Sequence, residues 1–326
     1  MLCIKHNITN PYFNLAAEEY FLRKSDEEYF LLYINEPSVI IGKHQNAYAE
    51  INYAFIRKNN IKVVRRISGG GAVWHDQGNL NFAFIRNGKE SELVNFRKYI
   101  MQVIGFLNSL GLNAIFQEKN SIVINDSKIS GNAEHVFRNR VLHHGTLLFN
   151  TNLENLEEAL RVNPGKYSDR SVKSIRSKTS NIIDHLNNGM TIKQFGDIFM
   201  RFTMAENQDS GMYELTDPDY QNINSLVKDK YSTWDWNFGY SPEYEINWIT
   251  HISGQEIRII LKVEKGFIKK ANIRSNLLSQ SLKDKLETDL SGQRHKEDII
   301  LGILQRDEFK DIFENFNPEE WIQIFF

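Results

Sequence analysis

The 326-residue sequence predicts an α+β protein with a small α+β domain at its C-terminal end. Three observations carry this. Strand-like, β-branched or aromatic runs recur at YFLLYIN (29–35), SVIIGK (38–43), KVVRRIS (62–68), NLNFAFIR (79–86) and RVLHHGTLLFN (140–150). Segments with apolar residues at helical spacing are interspersed with them, in NPYFNLAAEEYFLRK (10–24), residues 93–111 and TIKQFGDIFMRFT (191–203). The style then changes near residue 246, where a hairpin and three short helical patterns follow. This sets the expected domains at 1–245 and 246–326.

Taken in order, Asn10-Pro11 is a helix entry, and Phe13, Ala16, Ala17, Tyr20 and Phe21 share one helical face. Glu36-Pro37 separates two consecutive strands. Leu80, Phe82 and Phe84 alternate with Asn81, Ala83 and Ile85, so this strand is covered in part on both faces. Gly111 closes the amphipathic helix 93–111. Further strands are expected in NAIFQ, SIVIN and SKISG, and a helix in NLENLEEAL (152–160), which has an asparagine cap and an acidic first turn. Residues 163–181 lack apolar periodicity, are rich in Lys and Arg, and read as an exposed loop. The aromatic cluster at 231–245 reads as a packed junction. EIRIILKVEKGFIKKANIR (256–274) reads as a hairpin turning at Lys265-Gly266.

The formal net charge is −2, with 39 Lys+Arg against 41 Asp+Glu, which argues against a nucleic-acid-binding surface spread over the chain. A single cysteine, Cys3, rules out an internal disulfide and suits a reducing compartment. No apolar run approaches the roughly 20 residues of a membrane span, and Lys5, His6 and Pro11 interrupt what a signal peptide would need. The expectation is a cytoplasmic protein with no membrane and no nucleic-acid partner.

The most informative stretch is RRISGGGAVWHDQGNLN (65–81). It lacks the Gly-Lys-Ser/Thr of a Walker loop, and Trp74 stands where a dinucleotide fingerprint needs its last glycine. What remains is a glycine turn between two strands, with backbone N–H groups and Arg65 and Arg66 available to an anion such as phosphate or carboxylate. Lys128, just before Ser130-Gly131, is a compact cation of the type that brings a phosphate and a carboxylate together. His143 and His144 are adjacent, so on a strand they face opposite ways; the expectation for either is a satisfied core histidine, the alternative being one that lines a pocket while the other meets solvent. No Cys/His cluster suggests a fixed metal site.

Together these segments resemble the lipoate–protein ligase family. The glycine motif matches at 65–81, KISGNA at 128–133, HHGTLL at 143–148, VKSIRSKTSNI at 172–182 and WNFGYSPEY at 236–244. The resemblance implies a biotin/lipoate-ligase-like catalytic domain, a mixed β-sheet with surrounding helices, followed by a C-terminal accessory domain. It also implies a ligase that converts lipoate and ATP to lipoyl-AMP and then modifies a lysine of an acceptor, an E2 lipoyl domain or the glycine-cleavage H protein. Octanoate is an alternative acyl substrate.

By the same resemblance Lys128 is catalytic, bridging the activated carboxyl and the α-phosphate. Arg66, Gly71, Ala72, Val73, Trp74, Lys128, Lys173 and Arg176 would hold the nucleotide, and Gly69, Gly70, His75, Lys128 and His144 the lipoate. Mg2+ would accompany ATP without a fixed protein site, with Asp76 the carboxylate considered for it. Two rival readings stay open: a lipoyl or octanoyl transferase of the same fold that uses no ATP, and a non-catalytic module that binds acyl-adenylate.

Overall fold

The apolar run at Asn79–Asn87 becomes the strand β6 near the centre of an eight-stranded mixed sheet. The computed structural model describes residues 1–88, 94–117, 120–186, 189–252, 254–309 and 318–326. The strand order is β12-β1-β2-β6-β10-β9-β8-β7. The partners of β6 are β1 (Leu2–Lys5), β2 (Tyr29–Ile34), β7 (Ile115–Gln117), β8 (Ser121–Ile124), β9 (Ser127–Phe137), β10 (Arg140–Leu148) and β12 (Gly211–Met212). β1 pairs in parallel with β2 and β12, and the remaining ladders are antiparallel. A three-stranded sheet, β4-β3-β5, joins β3 (Ser38–Ile41), β4 (Lys62–Arg65) and β5 (Val73–His75). β2 and β3 are consecutive in sequence, yet they belong to different sheets.

Contacts divide the chain into two units. The first comprises Met1–Lys43, Ile61–Glu158 and Ser174–Thr233; the second comprises His44–Asn60, Ala159–Lys173 and Trp234–Phe326. In the first, helices cover both faces of the large sheet, as two neighbouring side chains show. On β10, His143 turns toward the helix α3 (Phe96–Ser109), its ring 4.9 Å from that of Tyr99. His144 turns the other way, toward α1 (Pro11–Lys24), with Nδ1 2.7 Å from Glu18 Oε2. Opposite faces are what strand geometry demands of neighbours. Both rings are buried and hydrogen-bonded, as expected of satisfied core histidines, and neither meets solvent. The helix expected over 93–111 runs Phe96–Ser109, residue 93 lying outside the described residues. With α5 (Ile192–Ala205) it builds the main core, where the Phe106 and Phe199 rings stack at 4.3 Å and Phe30 stacks on Phe84 at 4.7 Å.

The second unit has an antiparallel sheet, β11-β13-β14-β15, of β11 (Tyr167–Asp169), β13 (Tyr244–Ile252), β14 (Gln255–Glu264) and β15 (Phe267–Ser275). The β14–β15 turn falls at Lys265-Gly266, with φ of 50° and 77°, the left-handed pair that a tight hairpin needs. α7 (Gln280–Leu290), α8 (Glu297–Leu304) and α9 (Pro318–Phe325) supply the rest of this core, with Tyr48 from the segment 44–60. The remaining helices are α2 (Tyr53–Lys58), α4 (Leu153–Ala159) and α6 (Asp217–Leu226). Two readings change. Residues 163–181 are not all exposed loop, because Lys166 is buried, 167–169 pair with β13, and Thr179 bridges to Lys128. Asp235–Gly239, within the expected junction, is a wide π-type helical turn.

β9 and β10 also bury a titratable pair under α3. Glu134 Oε1 lies 2.8 Å from His143 Nδ1, and both side chains are almost wholly covered. Burial pulls His143 down to about 3, with the neighbouring His144 adding to it. Burial pushes Glu134 up to about 7, against a backbone hydrogen bond from Asn95. Both groups are therefore neutral on the acid side of pH 7. The folded chain keeps a proton on Glu134 that the unfolded chain releases, so this group's contribution to stability falls as pH rises toward 7, while His143, which takes up a proton only on unfolding, contributes a rise up to about pH 6.5. Glu134→Gln should remove this fall and gain ~1 kcal/mol at pH 8. Denaturant unfolding at pH 5 and pH 8 checks it, and an unchanged pH slope in the variant would refute the assignment.

Candidate active site

The glycine loop, residues 66–72, crosses over the end of β3, because β4 and β5 flank β3 on opposite sides. It is tied to that strand through Arg66 N–H to Ile41 O (3.0 Å) and Lys43 N–H to Ser68 O (2.8 Å). The approach is so close that a Cβ on Gly42 would stand 2.1 Å from Gly70 O, which no other residue could tolerate. Gly70 itself has φ +88°, in the left-handed region.

A loop with three glycines has no side chains of its own to hold it, and Arg66 does that work from beneath. Its guanidinium is buried, and every nitrogen donates to the protein: Nη1 to Ile40 O (3.1 Å), Nε to Ser68 Oγ (3.0 Å) and Gly69 O (3.1 Å), Nη2 to Gly69 O and Gly71 O (2.8 Å). Burial pushes Arg66 down to about 10, partly offset by the charge of Glu18, so it stays a cation. Arg65, also buried, donates to Gly42 O (3.0 Å) and Lys43 O (3.1 Å). Both arginines expected to meet an anion are thus occupied by loop carbonyls.

A hydrogen-bonded chain runs from the loop to α1. Ser68 Oγ lies 2.6 Å from His144 Nε2, His144 Nδ1 meets Glu18 Oε2, and Tyr33 Oη donates to Glu18 Oε1 at 2.8 Å. The order fixes the tautomer as Nδ1–H facing the carboxylate, with Nε2 accepting from Ser68. Sequence reading missed Glu18 and Tyr33. The signal was slight: Glu18 is a carboxylate lying inside the buried run of α1, directly after Leu15, Ala16 and Ala17, and a buried carboxylate needs partners.

His75 is also buried. Its Nδ1 accepts from Asn35 Nδ2 at 2.9 Å, so its proton sits on Nε2, which has no partner among the described residues. Burial holds His75 down to about 3, with Arg66 and His144 adding to it. The result is a neutral ring presenting one N–H donor. Asp76 is consumed by structure: Oδ1 accepts from Gly78 N–H (2.9 Å), and Oδ2 from Trp74 Nε1 (3.0 Å) and Asn152 N–H (2.8 Å). That leaves little of it for a metal. Val73 and Trp74 belong to β5, paired with Ile40 and Val39.

Lys128 stands at a β-bulge in β9, where one step along β8, Ile122 to Val123, spans Ser130 to Lys128. Its backbone bonds to Lys178 O (2.8 Å) and Ser180 N–H (3.1 Å). The side chain lies across Gly131, whose missing Cβ would be 3.3 Å from Lys128 Nζ. The ammonium has no hydrogen-bond or ion-pair partner among the described residues. Burial, then Arg66, lowers its pKa.

The segment after residue 173 reaches the loop as well. Ser174 Oγ accepts from Ala72 N–H at 2.8 Å, and its Cα would be 3.1 Å from a Cβ on Gly71. Gly69 differs: a Cβ there would meet nothing within 4 Å. Arg176 is exposed. Lys173, in the second unit, is held by Asp169 at 2.8 Å, and Asp169 also accepts from Asn46 Nδ2 and Ser171 N–H. The structure therefore gathers Arg66, the glycine loop and His144 in one hydrogen-bonded network, places His75 near enough to feel the charges of Arg66 and His144, commits Lys173 to Asp169, and leaves the Lys128 ammonium without a partner among the described residues.

Comparison with known proteins places the chain in a family. Residues 10–202 match the lipoyl protein ligase A/B catalytic domain, and residues 241–325 match the bacterial lipoate protein ligase C-terminus. Lipoate–protein ligase 1 of Staphylococcus aureus is 39% identical over 321 residues, covering 98% of each chain. Among solved structures, a bi-partite lipoate protein ligase studied with its E2 lipoyl domain, from Thermoplasma acidophilum, is similar with a TM-score of 0.64. It is 28% identical and covers 73% of this chain and 96% of that one. A lipoate-protein ligase A bound with ATP is similar with a TM-score of 0.62, at 28% identity, covering 74% of this chain and all of that one. No described helix is long and apolar enough to cross a membrane. With both family models matched in order and a full-length relative at this identity, the chain belongs to the lipoate–protein ligase family and is a ligase enzyme.

Proposed function

We propose that the chain activates free lipoate with ATP to lipoyl-AMP and then transfers the lipoyl group to a lysine of an acceptor protein. The observation that carries this reading is the ammonium of Lys128, half-buried, without a partner among the described residues, on the strand that bears KISGNA. In the first step a carboxylate oxygen of lipoate attacks the α-phosphorus of ATP, and the bond to the β-phosphate breaks, releasing pyrophosphate. Two anions must approach, so a fixed, poorly solvated cation between them lowers the barrier. Lys128 would do this as a point charge. In the second step the neutral acceptor amine attacks the acyl carbon, AMP leaves, and the amine gives up its proton to solvent.

The other roles follow the same reading. The backbone of Gly71, Ala72, Val73 and Trp74 would line the nucleotide, and Arg66 would act through the loop carbonyls it grips. Gly69, Gly70, His75 and His144 would border the lipoyl end, His75 offering Nε2–H. Lys173 would reach the nucleotide only by exchanging Asp169 for a phosphate, while Arg176 needs no such exchange. Magnesium would travel on the phosphates of ATP, since the Asp76 oxygens already accept three N–H groups. Residues 1–245 would make up the catalytic part and 246–326 the accessory part. The thiol of Cys3, fully buried on β1 and pushed up in pKa by that burial, does not suit a covalent transferase. The relative studied with its E2 lipoyl domain favours such a domain as acceptor, with the glycine-cleavage H protein the alternative.

Purified protein should release pyrophosphate only with both lipoate and ATP, and mass spectrometry should find lipoyl on an acceptor lysine only under those conditions. Lipoylation without ATP would favour the transferase instead. Lys128→Ala should lower pyrophosphate release by roughly 100-fold or more while the protein stays folded. Gly69→Ala should leave stability within ~0.5 kcal/mol of the parent, since its Cβ meets no protein atom, yet cost at least about tenfold in activity. Full activity in that variant would show that nothing passes close to this residue. Arg66→Lys cannot reproduce a fork that serves three carbonyls and a hydroxyl. It should cost about 1–3 kcal/mol and speed hydrogen exchange at residues 67–73.

A further inference from the structure

The hairpin β14–β15 is strongly cationic in a chain whose net charge is −2: residues 258–274 hold six Lys and Arg and one carboxylate. Ile257, Ile259, Leu261 and Val263 point into the core of the second unit, so Arg258, Ile260 and Lys262 face away from it. On β15, Arg274, Asn272 and Lys270 lie opposite these three. The register thus sets Arg258 directly across from Arg274, and Lys262 directly across from Lys270. Like charges opposite each other in a sheet repel and lower stability. Packing of the core accounts for neither pair, because these side chains lie on the other face.

The four charges are answered unevenly. Lys262 is held by Glu243 at 2.9 Å and by Glu264 at 3.2 Å. Arg258 donates to Asn247 Oδ1 at 3.0 Å and makes no ion pair among the described residues. Lys270 and Arg274 are exposed and have neither a hydrogen bond nor an ion pair from their side chains among the described residues. Strand rise sets these two about 13 Å apart. Ile249, 46% exposed, stands across from Arg258, and Ile260 lies between the two cation pairs. Uncommitted cations around apolar side chains suit a protein partner, the charges orienting it and the isoleucines being covered. Glu245 and Glu256 share this face, across from Lys262 and His251, where they would repel the unbroken charge of a nucleic-acid strand. Discrete carboxylates on a protein can be spaced to avoid them. We infer that this face docks an acidic surface of the acceptor protein, whose carboxylates meet Arg258, Arg274 and Lys270 while an apolar side chain covers Ile249 and Ile260. This rests on the proposed transfer to an acceptor, and it assigns the face to recognition of that acceptor and not to the chemistry.

The probe is a purified E2 lipoyl domain of net negative charge, titrated by calorimetry into the intact chain. It should bind saturably, and added salt should weaken it. Arg274→Glu should weaken it at least about tenfold and raise the KM for the domain in lipoylation to match. It should leave kcat unchanged, and also the pyrophosphate released from lipoate and ATP without acceptor. The same substitution sets opposite charges across the strand pair, so the melting temperature should hold or rise, which excludes a structural cause for weaker binding. Lys270→Glu should act in the same way, whereas Lys193→Glu, an equal charge change on α5, should alter affinity less than about twofold. If Arg274→Glu fails to fold, Arg274→Gln decides. A parent chain that releases no pyrophosphate would refute the ligase reading, and the titrations would still decide the docking face. With pyrophosphate release intact, absence of saturable binding, full affinity in Arg274→Glu, an equal loss in Lys193→Glu, or equally tight binding of duplex DNA would overturn the docking inference alone.

Discussion

The fork of Arg66 is the interaction on which the site depends. Glycine-rich backbone has many conformations to lose and no side chains to lock it, so the loop needs donors aimed at its carbonyls from outside. One buried guanidinium supplies them at Gly69 and Gly71, fixes Ser68, and anchors itself to β3 at Ile40 O. Burying that charge is costly, and the structure offsets the cost with full hydrogen bonding and the field of Glu18. Glu18 is itself held by Tyr33 and His144, and His144 returns to Ser68. The loop, the sheet and α1 are thus joined through a closed polar network, which rigidifies because each member is satisfied.

Much of this was legible in the sequence, for physical reasons that differ between elements. β6 was readable because its apolar alternation records burial on both faces. The Lys265-Gly266 hairpin was readable because its turn needs left-handed backbone that few residue types tolerate. The glycine triplet announced a loop approached closely. It did not say by what: Gly71 is crowded by Ser174, Gly70 carries the positive φ, and Gly69 meets no protein atom. Gly42, whose need for glycine is the strictest of the four, looked like an ordinary strand end.

What stayed hidden is pairing over long sequence separation. β2 and β3 look like neighbours in one sheet, because a single sequence shows strand pattern but not which strand lies beside which. The basic segment 163–181 looked like solvated loop, since its charges outnumber its apolar residues. Yet Tyr167–Asp169 pairs with a strand some 75 positions away, and Lys166 is buried against α9. Likewise, the direction of a cation cannot be read from its type. Arg65 and Arg66 turn inward to carbonyls, whereas Lys128 keeps its charge uncommitted.

That difference between the arginines and the lysine follows from their chemistry. A planar guanidinium with five fixed donors suits a stationary set of carbonyls, and it is poorly suited to partners that move during a reaction. A single ammonium on a flexible stem can follow a phosphate and a carboxylate as they close. Its stem still needs a firm base, which the bulge at Ile129 and the bonds to Lys178 and Ser180 provide. Those bonds come from the same short segment that, at Ser174, holds Ala72 N–H of the glycine loop. Residues 174–180 therefore brace both halves of the proposed centre at once. A shift of this segment would move the loop backbone and the lysine together, so the basic stretch acts first as a structural clamp on the proposed centre, before any contact its exposed arginine would make with a nucleotide.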